Sequence, residues 1–235
     1  MNYFYHPTLD NSVSQFSFSP EESRHIIKVL RKKEGDELLI TNGKGFLFTS
    51  EITGADSKKC TGRVLNSKKT IPPRFELHLA VAPTKRLERF QWFLEKATEI
   101  GVTEITPILC EHSERDKFSL ERLQRVMQEA MKQSLRTYLP RLNPLTPYEE
   151  FVKGNLPDLR FIAHCEDDEK VELKRRVAPD KDIVVLIGPE GDFNQAEIHT
   201  AYESGFLPVS LGKSRLRTET AAIYACVTVN LINGT

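Results

Sequence analysis

Two short segments near the C-terminus carry residue types suited to holding a ligand. The first, VVLIGPEGDF at 184–193, is an apolar run that breaks into Gly188, Pro189, Glu190 and Gly191. The second, LGKSRLRTETAA at 211–222, opens with Gly212 after another apolar run and then offers Arg217, Glu219 and Thr220. Glycine lets backbone amides and carbonyls approach a ligand closely, and a helix starting near Thr220 offers free N–H groups, with Thr218 placed to cap it. In open parallel sheets ligands bind beyond the carboxyl ends of the strands, which is where both loops fall. By themselves these features indicate a small polar or anionic ligand, and two merely structural tight turns have the same pattern. The common dinucleotide-binding domain puts its glycine loop after its first strand, whereas this one comes last. Cys60, Cys110, Cys165 and Cys226 form no Cys-x-x-Cys pair and have no histidine at ligand spacing, so no metal site is expected.

The elements that must position these loops can be read from periodicity. Strand-like ELHLAVAP precedes RLERFQWFLEKATEIG, in which Phe90, Phe93, Leu94, Ala97 and Ile100 recur at helical spacing. VTEITPILC, a helix from about Ser119, LRFIAHCE and DIVVLIG follow. That helix places Leu120, Leu123, Val126, Met127, Ala130, Ser134 and Leu135 on one face. Asn194 and Glu197 make a capping box for QAEIHTAYES, which Gly205 ends; FLPVSLG is a strand and TETAAIYACVTVNLI a final helix. Strands alternating with helices imply an α/β domain whose parallel sheet is covered on both faces. The last helix has few charges on any face and must be buried against something large, a subunit partner among the candidates.

The N-terminal texture differs. FSPEESRHIIKVLR predicts a short helix with Ser19 as cap, Pro20 at its first position, Glu22 completing a capping box, and Ile26, Ile27 and Leu30 turned inward. Short alternating runs broken by Asn42–Gly43, Gly45, Gly54 and Gly62 read as a small antiparallel sheet or barrel, with NGKG as a hairpin turn. The proline-bearing seam SKKTIPPRF marks a boundary near residue 72, giving domains 1–71 and 72–235. Residues 1–74 hold twelve Lys and Arg against eight Asp and Glu, and the remainder twenty-one against twenty-five, although the whole chain is neutral. A basic front suits docking of an anionic polymer, and an unevenly charged solvated surface reads the same way. Without a membrane-length apolar run or a secretion signal at its start, the chain is expected to be cytoplasmic and free of membrane.

The segments LIGPEGDF and LGKSRLRTETA together resemble the cofactor-binding signature of the SPOUT methyltransferases, specifically the bacterial enzymes that methylate N3 of a uridine in small-subunit (16S) ribosomal RNA. RHIIKVLR, KATEIGVTEITPI and EAMKQSLRTYLP are similar to other blocks of that family, so the resemblance covers nearly the whole chain in order. It implies a trefoil-knotted α/β domain, an N-terminal PUA-like barrel for RNA, a homodimer, and S-adenosylmethionine as methyl donor without metal. On this resemblance the cofactor is held by Ile187, Gly188, Pro189, Glu190, Gly191, Leu211, Gly212, Leu216, Thr218, Thr220 and Ala221. Methyl transfer to a weakly acidic uracil imide calls for stabilised charge on O2 and O4. Arg217 takes that role with Glu219 and Thr220 as polar partners, a salt bridge holding the knot being the alternative. Arg24, Lys28, Arg31, Lys32, Gln133 and Arg136 are expected to meet 16S rRNA in the small ribosomal subunit, Gln133 and Arg136 being alternatively donors to the neighbouring subunit's site or part of an exposed helix face. The family carries a third glycine where this chain has Asp192, Arg-Ile where it has Ser214–Arg215, and arginine where it has Asn2–Tyr3. The rival readings are a non-catalytic RNA-binding protein of the same fold, disfavoured by the intact GPEG and LRTETA, and an enzyme of that fold acting on another nucleoside.

Overall fold

The computed structural model describes residues 3–166 and 169–234, so Asn2 lies outside the described residues. It falls into two compact units, Met1–Pro72 with Gln128–Leu139, and Pro73–Met127 with Pro140–Thr235. Residues 128–139, which the sequence places within the C-terminal alternation, thus belong with the first unit.

In the first unit, strands β1 (Tyr3–Tyr5) and β2 (Gln15–Ser17) precede helix α1 (Pro20–Arg24), then β3 (Glu37–Thr41), β4 (Phe46–Gly54) and β5 (Thr61–Lys69). The strands form one sheet in the order β1-β3-β4-β5-β2, antiparallel except for the β1–β3 pair. Alternation along β4 buries Phe48, Ser50 and Ile52, and Phe4, Phe16, Phe18, Ile26 and Ile40 complete the core. The NGKG segment joins β3 to β4 with no helix after it. Ser19 Oγ accepts from the Glu22 amide at 3.3 Å, while the Glu22 carboxylate faces Lys132 Nζ at 3.5 Å instead of closing a capping box. A π-helical turn, His25–Val29, follows α1, with the Leu30 amide donating to the His25 carbonyl at 3.0 Å. The wider turn rotates later residues off the apolar face. Ile26 is buried and Ile27 partly so, but Leu30 is exposed, a correction to the expected inward trio.

The second unit contains β6 (Leu77–Val81), α2 (Leu87–Ile100), β7 (Glu104–Leu109), the start of α3 (Leu120–Gln133), β8 (Arg141–Leu142), β9 (Thr146–Pro147) and α4 (Tyr148–Val152). It continues with β10 (Leu159–Ala163), β11 (Val171–Glu172), α5 (Leu173–Arg176), β12 (Ile183–Ile187), α6 (Gln195–Glu203), β13 (Leu207–Ser210) and α7 (Thr218–Asn233). All its strand pairs are parallel, in the order β11-β13-β10-β12-β6-β7-β8, with β9 beside β7. Every residue of β6 and β12 is buried, as central strands covered on both faces must be. Late strand β12 is inserted between β10 and β6, and because β13, β10 and β12 are adjacent and parallel, the loops after them open side by side at the carboxyl end of the sheet. Helix α2 buries Phe90, Phe93, Leu94 and Ala97 and packs on α7, which also rests on β6 and β12. Leu135, expected on the inner face of α3, is exposed, because the chain leaves the helix there with φ 58°. Among the described residues no helix is long and apolar enough to cross a membrane.

Candidate active site

A cleft of about 750 Å³ opens beyond the carboxyl ends of β10, β12 and β13, within the size range of small-ligand sites. Its floor is the end of β12 and the loop after it, contributed by Ile187, Gly188, Pro189 and Glu190. The facing wall is the loop between β13 and α7, with Leu211, Gly212, Leu216, Arg217, Thr218 and Ala221. One hydrogen bond joins the two: buried Thr218 Oγ1 donates to the Gly188 carbonyl at 3.0 Å. Thr218 therefore does not cap α7. Arg217 occupies the N-cap position with extended backbone, and its carbonyl accepts the first helical bond from Ala221 at 2.8 Å. The Thr218 hydroxyl is used instead to satisfy a carbonyl that no strand pairs.

Arg217 is exposed on this wall, and among the described residues its guanidinium has no ion-pair or hydrogen-bond partner. The salt-bridge alternative for it thus has no partner in this unit. Glu219 and Thr220 do not line the cleft. Glu219 is buried beside Arg89, whose Nε lies 3.8 Å from Oε1, while Oε2 has no hydrogen-bond partner. Gly191 is also absent from the lining: a Cβ there would stand 3.0 Å from that of His112, so its missing side chain lets the loop press onto the segment after β7. Gly212, with φ 123°, takes a conformation that only glycine enters freely.

The cleft also takes residues that the sequence reading missed. Ala163, His164, Cys165 and Lys170 come from the end of β10 and beyond, Val209 and Ser210 from β13, and Asp192, Lys213, Ser214 and Arg215 from the two loops themselves. Lys170 Nζ donates to the His164 carbonyl at 2.7 Å, and His164 Nε2 lies 2.9 Å from the Tyr202 hydroxyl. Partial burial and the nearby Asp192 carboxylate push the Cys165 thiol up from its ordinary value. Behind the glycine loop, Glu190 Oε1 accepts from the Lys85 amide at 3.0 Å, and Arg115 donates to the Thr84 and Lys85 carbonyls, which steadies the turn after β6. The Asn194–Glu197 capping box is closed in both directions, and Glu197 Oε1 also accepts from the Glu111 amide. Among the described residues no group of three His, Cys, Asp or Glu side chains could hold a metal ion.

The residues expected to meet RNA lie together in the first unit. Arg24, Lys28 and Arg31 are exposed around the π-helical turn, Lys32 is half-buried with Nζ 3.4 Å from the Glu37 carbonyl, and Gln133 and Arg136 lie at the end of α3. Within that unit the Glu22–Lys132 ion pair joins α1 to this end of α3.

A family model described as an RNA methyltransferase domain matches residues 72–230, and one described as an RNA methyltransferase PUA domain matches residues 18–65. The ribosomal RNA small subunit methyltransferase E of Synechocystis sp. is 30% identical, over 88% of this chain and 70% of its own length. The chain belongs to the ribosomal RNA small subunit methyltransferase E family. Among solved structures of this kind, that of a probable rRNA methyltransferase from Porphyromonas gingivalis superimposes with a TM-score of 0.92 at 38% identity, covering 100% of this chain and 99% of the other. The small subunit methyltransferase E of Neisseria gonorrhoeae, solved bound to S-adenosyl methionine, has a TM-score of 0.86 at 25% identity over 99% of this chain and 98% of its own. The chain is thus an RNA methyltransferase of α/β fold carrying a PUA domain.

Proposed function

We propose that the protein transfers a methyl group from S-adenosylmethionine to N3 of a uridine in 16S ribosomal RNA, within the cleft beyond β10, β12 and β13. The observation that carries this reading is the pair of loops tied by Thr218 and Gly188, with the unpartnered Arg217 guanidinium on the wall they form. The cofactor supplies a methyl carbon on a positively charged sulfur. The walls suit it: Ile187, Leu211 and Leu216 offer apolar surface for adenine, and the backbone at Gly188, Gly212 and Thr218 offers polar groups. Displacement at such a carbon requires a nucleophile held close and in line, so this chain's task is alignment and charge stabilisation. Of the cations on this wall without a partner among the described residues, Lys213, Arg215 and Arg217, the last stands at the start of α7, and its planar fork suits facing a uracil carbonyl while N3 carries negative charge. Glu219, expected beside Arg217 as a catalytic group, lies buried outside the cleft lining with Oε1 3.8 Å from Arg89 Nε.

The PUA unit supplies RNA affinity through Arg24, Lys28, Arg31, Lys32, Gln133 and Arg136, and a ribosomal RNA substrate places the protein in the cytoplasm. We further infer the knotted threading of α7 and a homodimer whose contact covers α2 and α7, where Trp92, Tyr224 and Leu231 are exposed; sedimentation velocity decides the oligomeric state. Replacing both Lys28 and Arg31 by Glu should weaken binding to 16S rRNA and flatten its salt dependence, since each lost phosphate contact removes released counterions. The affinity for S-adenosylmethionine should not change. RNA binding unaltered by the double substitution would return these cations to an ordinary solvated face.

A further inference from the structure

Asp192 stands where the sequence pattern calls for a third glycine, and its backbone shows why glycine suits the position: φ is 65°, in the left-handed region. Aspartate is among the few side chains that enter that region with modest strain. Every polar group of the residue is engaged. Its amide donates to the Pro189 carbonyl at 3.0 Å, closing the tight turn, and its own carbonyl lies 3.0 Å from His112 Nδ1. Carboxylate Oδ1 accepts from the Phe193 amide at 2.9 Å and Oδ2 from the Cys165 amide at 2.6 Å. The last of these bonds crosses from the loop after β12 to the segment after β10. Strand β10 ends at Ala163, so the Cys165 amide lies beyond the strand pairing, and the carboxylate supplies a charge-assisted bond in its place. Both Asp192 and Cys165 line the cleft.

We propose that Asp192 is a positioning residue that pins the end of β10 to the glycine loop and so holds the cleft open at the width its ligand needs. The proposal rests on the cleft being the S-adenosylmethionine site. A glycine at 192 would adopt the same backbone without strain but would leave the Cys165 amide unbonded. The fold and the pin can therefore be separated by substitution.

The test compares Asp192→Gly and Asp192→Asn with the parent protein in three measurements: exchange of the Cys165 amide by NMR, calorimetric affinity for S-adenosylmethionine, and thermal melting. Asp192→Gly should melt close to the parent, exchange the Cys165 amide at least about tenfold faster, and bind the cofactor about tenfold or more weakly, the loss expected for one hydrogen bond to a charged group. Asp192→Asn, which keeps one side-chain acceptor, should fall between the two. Unchanged exchange, or fast exchange with parental affinity, would overturn the proposal. So would an Asp192→Gly protein that melts early while its folded fraction binds normally. If the parent itself binds no cofactor, the reading of the cleft fails instead, and the exchange comparison still shows whether the pin exists.

Discussion

Among single residues, Arg217 differs sharply from the two that follow it. Thr218 is buried and bonded to Gly188, and Glu219 is buried beside Arg89, so both have work within the fold. Arg217 is exposed and has no partner among the described residues, so the fold gains little from its guanidinium. Arg217→Lys keeps the charge but loses the planar fork, and the single-turnover rate of methyl transfer should fall about ten- to a thousandfold, the range for losing one oriented donor. Its melting temperature should stay at the parental value. A variant that unfolds early while its folded fraction transfers methyl at the parental rate would make Arg217 a structural residue.

At the scale of elements, the sheet carries a buried polar network at its other end. His78 on β6 is buried, with Nε2 2.7 Å from Thr106 Oγ1 and Nδ1 3.8 Å from Glu104 Oε2. Asn143 Nδ2 donates to both Glu104 and Thr106, and Arg141 donates to Glu104 at 2.6 Å. Burial, only partly opposed by Glu104, pulls the His78 pKa down to about 4. In the unfolded chain the ring takes up a proton near pH 6.5 while the folded protein stays neutral, so stability falls as pH drops from about 6.5 to about 4 and levels off below. The full effect is about 3 kcal/mol, of which about 2 kcal/mol falls between pH 7.5 and pH 5, and most of it disappears in a His78→Gln variant; urea unfolding at those two pH values measures that part. Local features of the elements were legible in the sequence. The Asn194–Glu197 box, the Ser19 cap, the NGKG hairpin and the buried face of α2 depend on residues a few positions apart. What was not legible depends on strand order. Cys165 and Lys170 share the cleft with the glycine loop only because β12 enters between β10 and β6, and Gly191 turns toward His112 because the segment after β7 lies behind it. The π-helical turn that exposes Leu30 is one inserted residue, which helical periodicity does not reveal.

At the scale of the whole molecule, two units divide the task. The first carries the exposed cations Arg24, Lys28 and Arg31 around the π-helical turn, and the second carries a cleft built from loops after parallel strands. The most direct measurement is nucleoside mass mapping of 16S rRNA from cells lacking this protein, repeated after treating that RNA, or small subunits from the same cells, with purified protein and S-adenosylmethionine. The account predicts that one 3-methyluridine is absent from the deleted cells and returns on treatment with the parent protein, at a much reduced rate with Arg217→Lys. A full complement of 3-methyluridine in the deleted cells, or restoration of a methyl group on a ribose or on guanine instead, would contradict it.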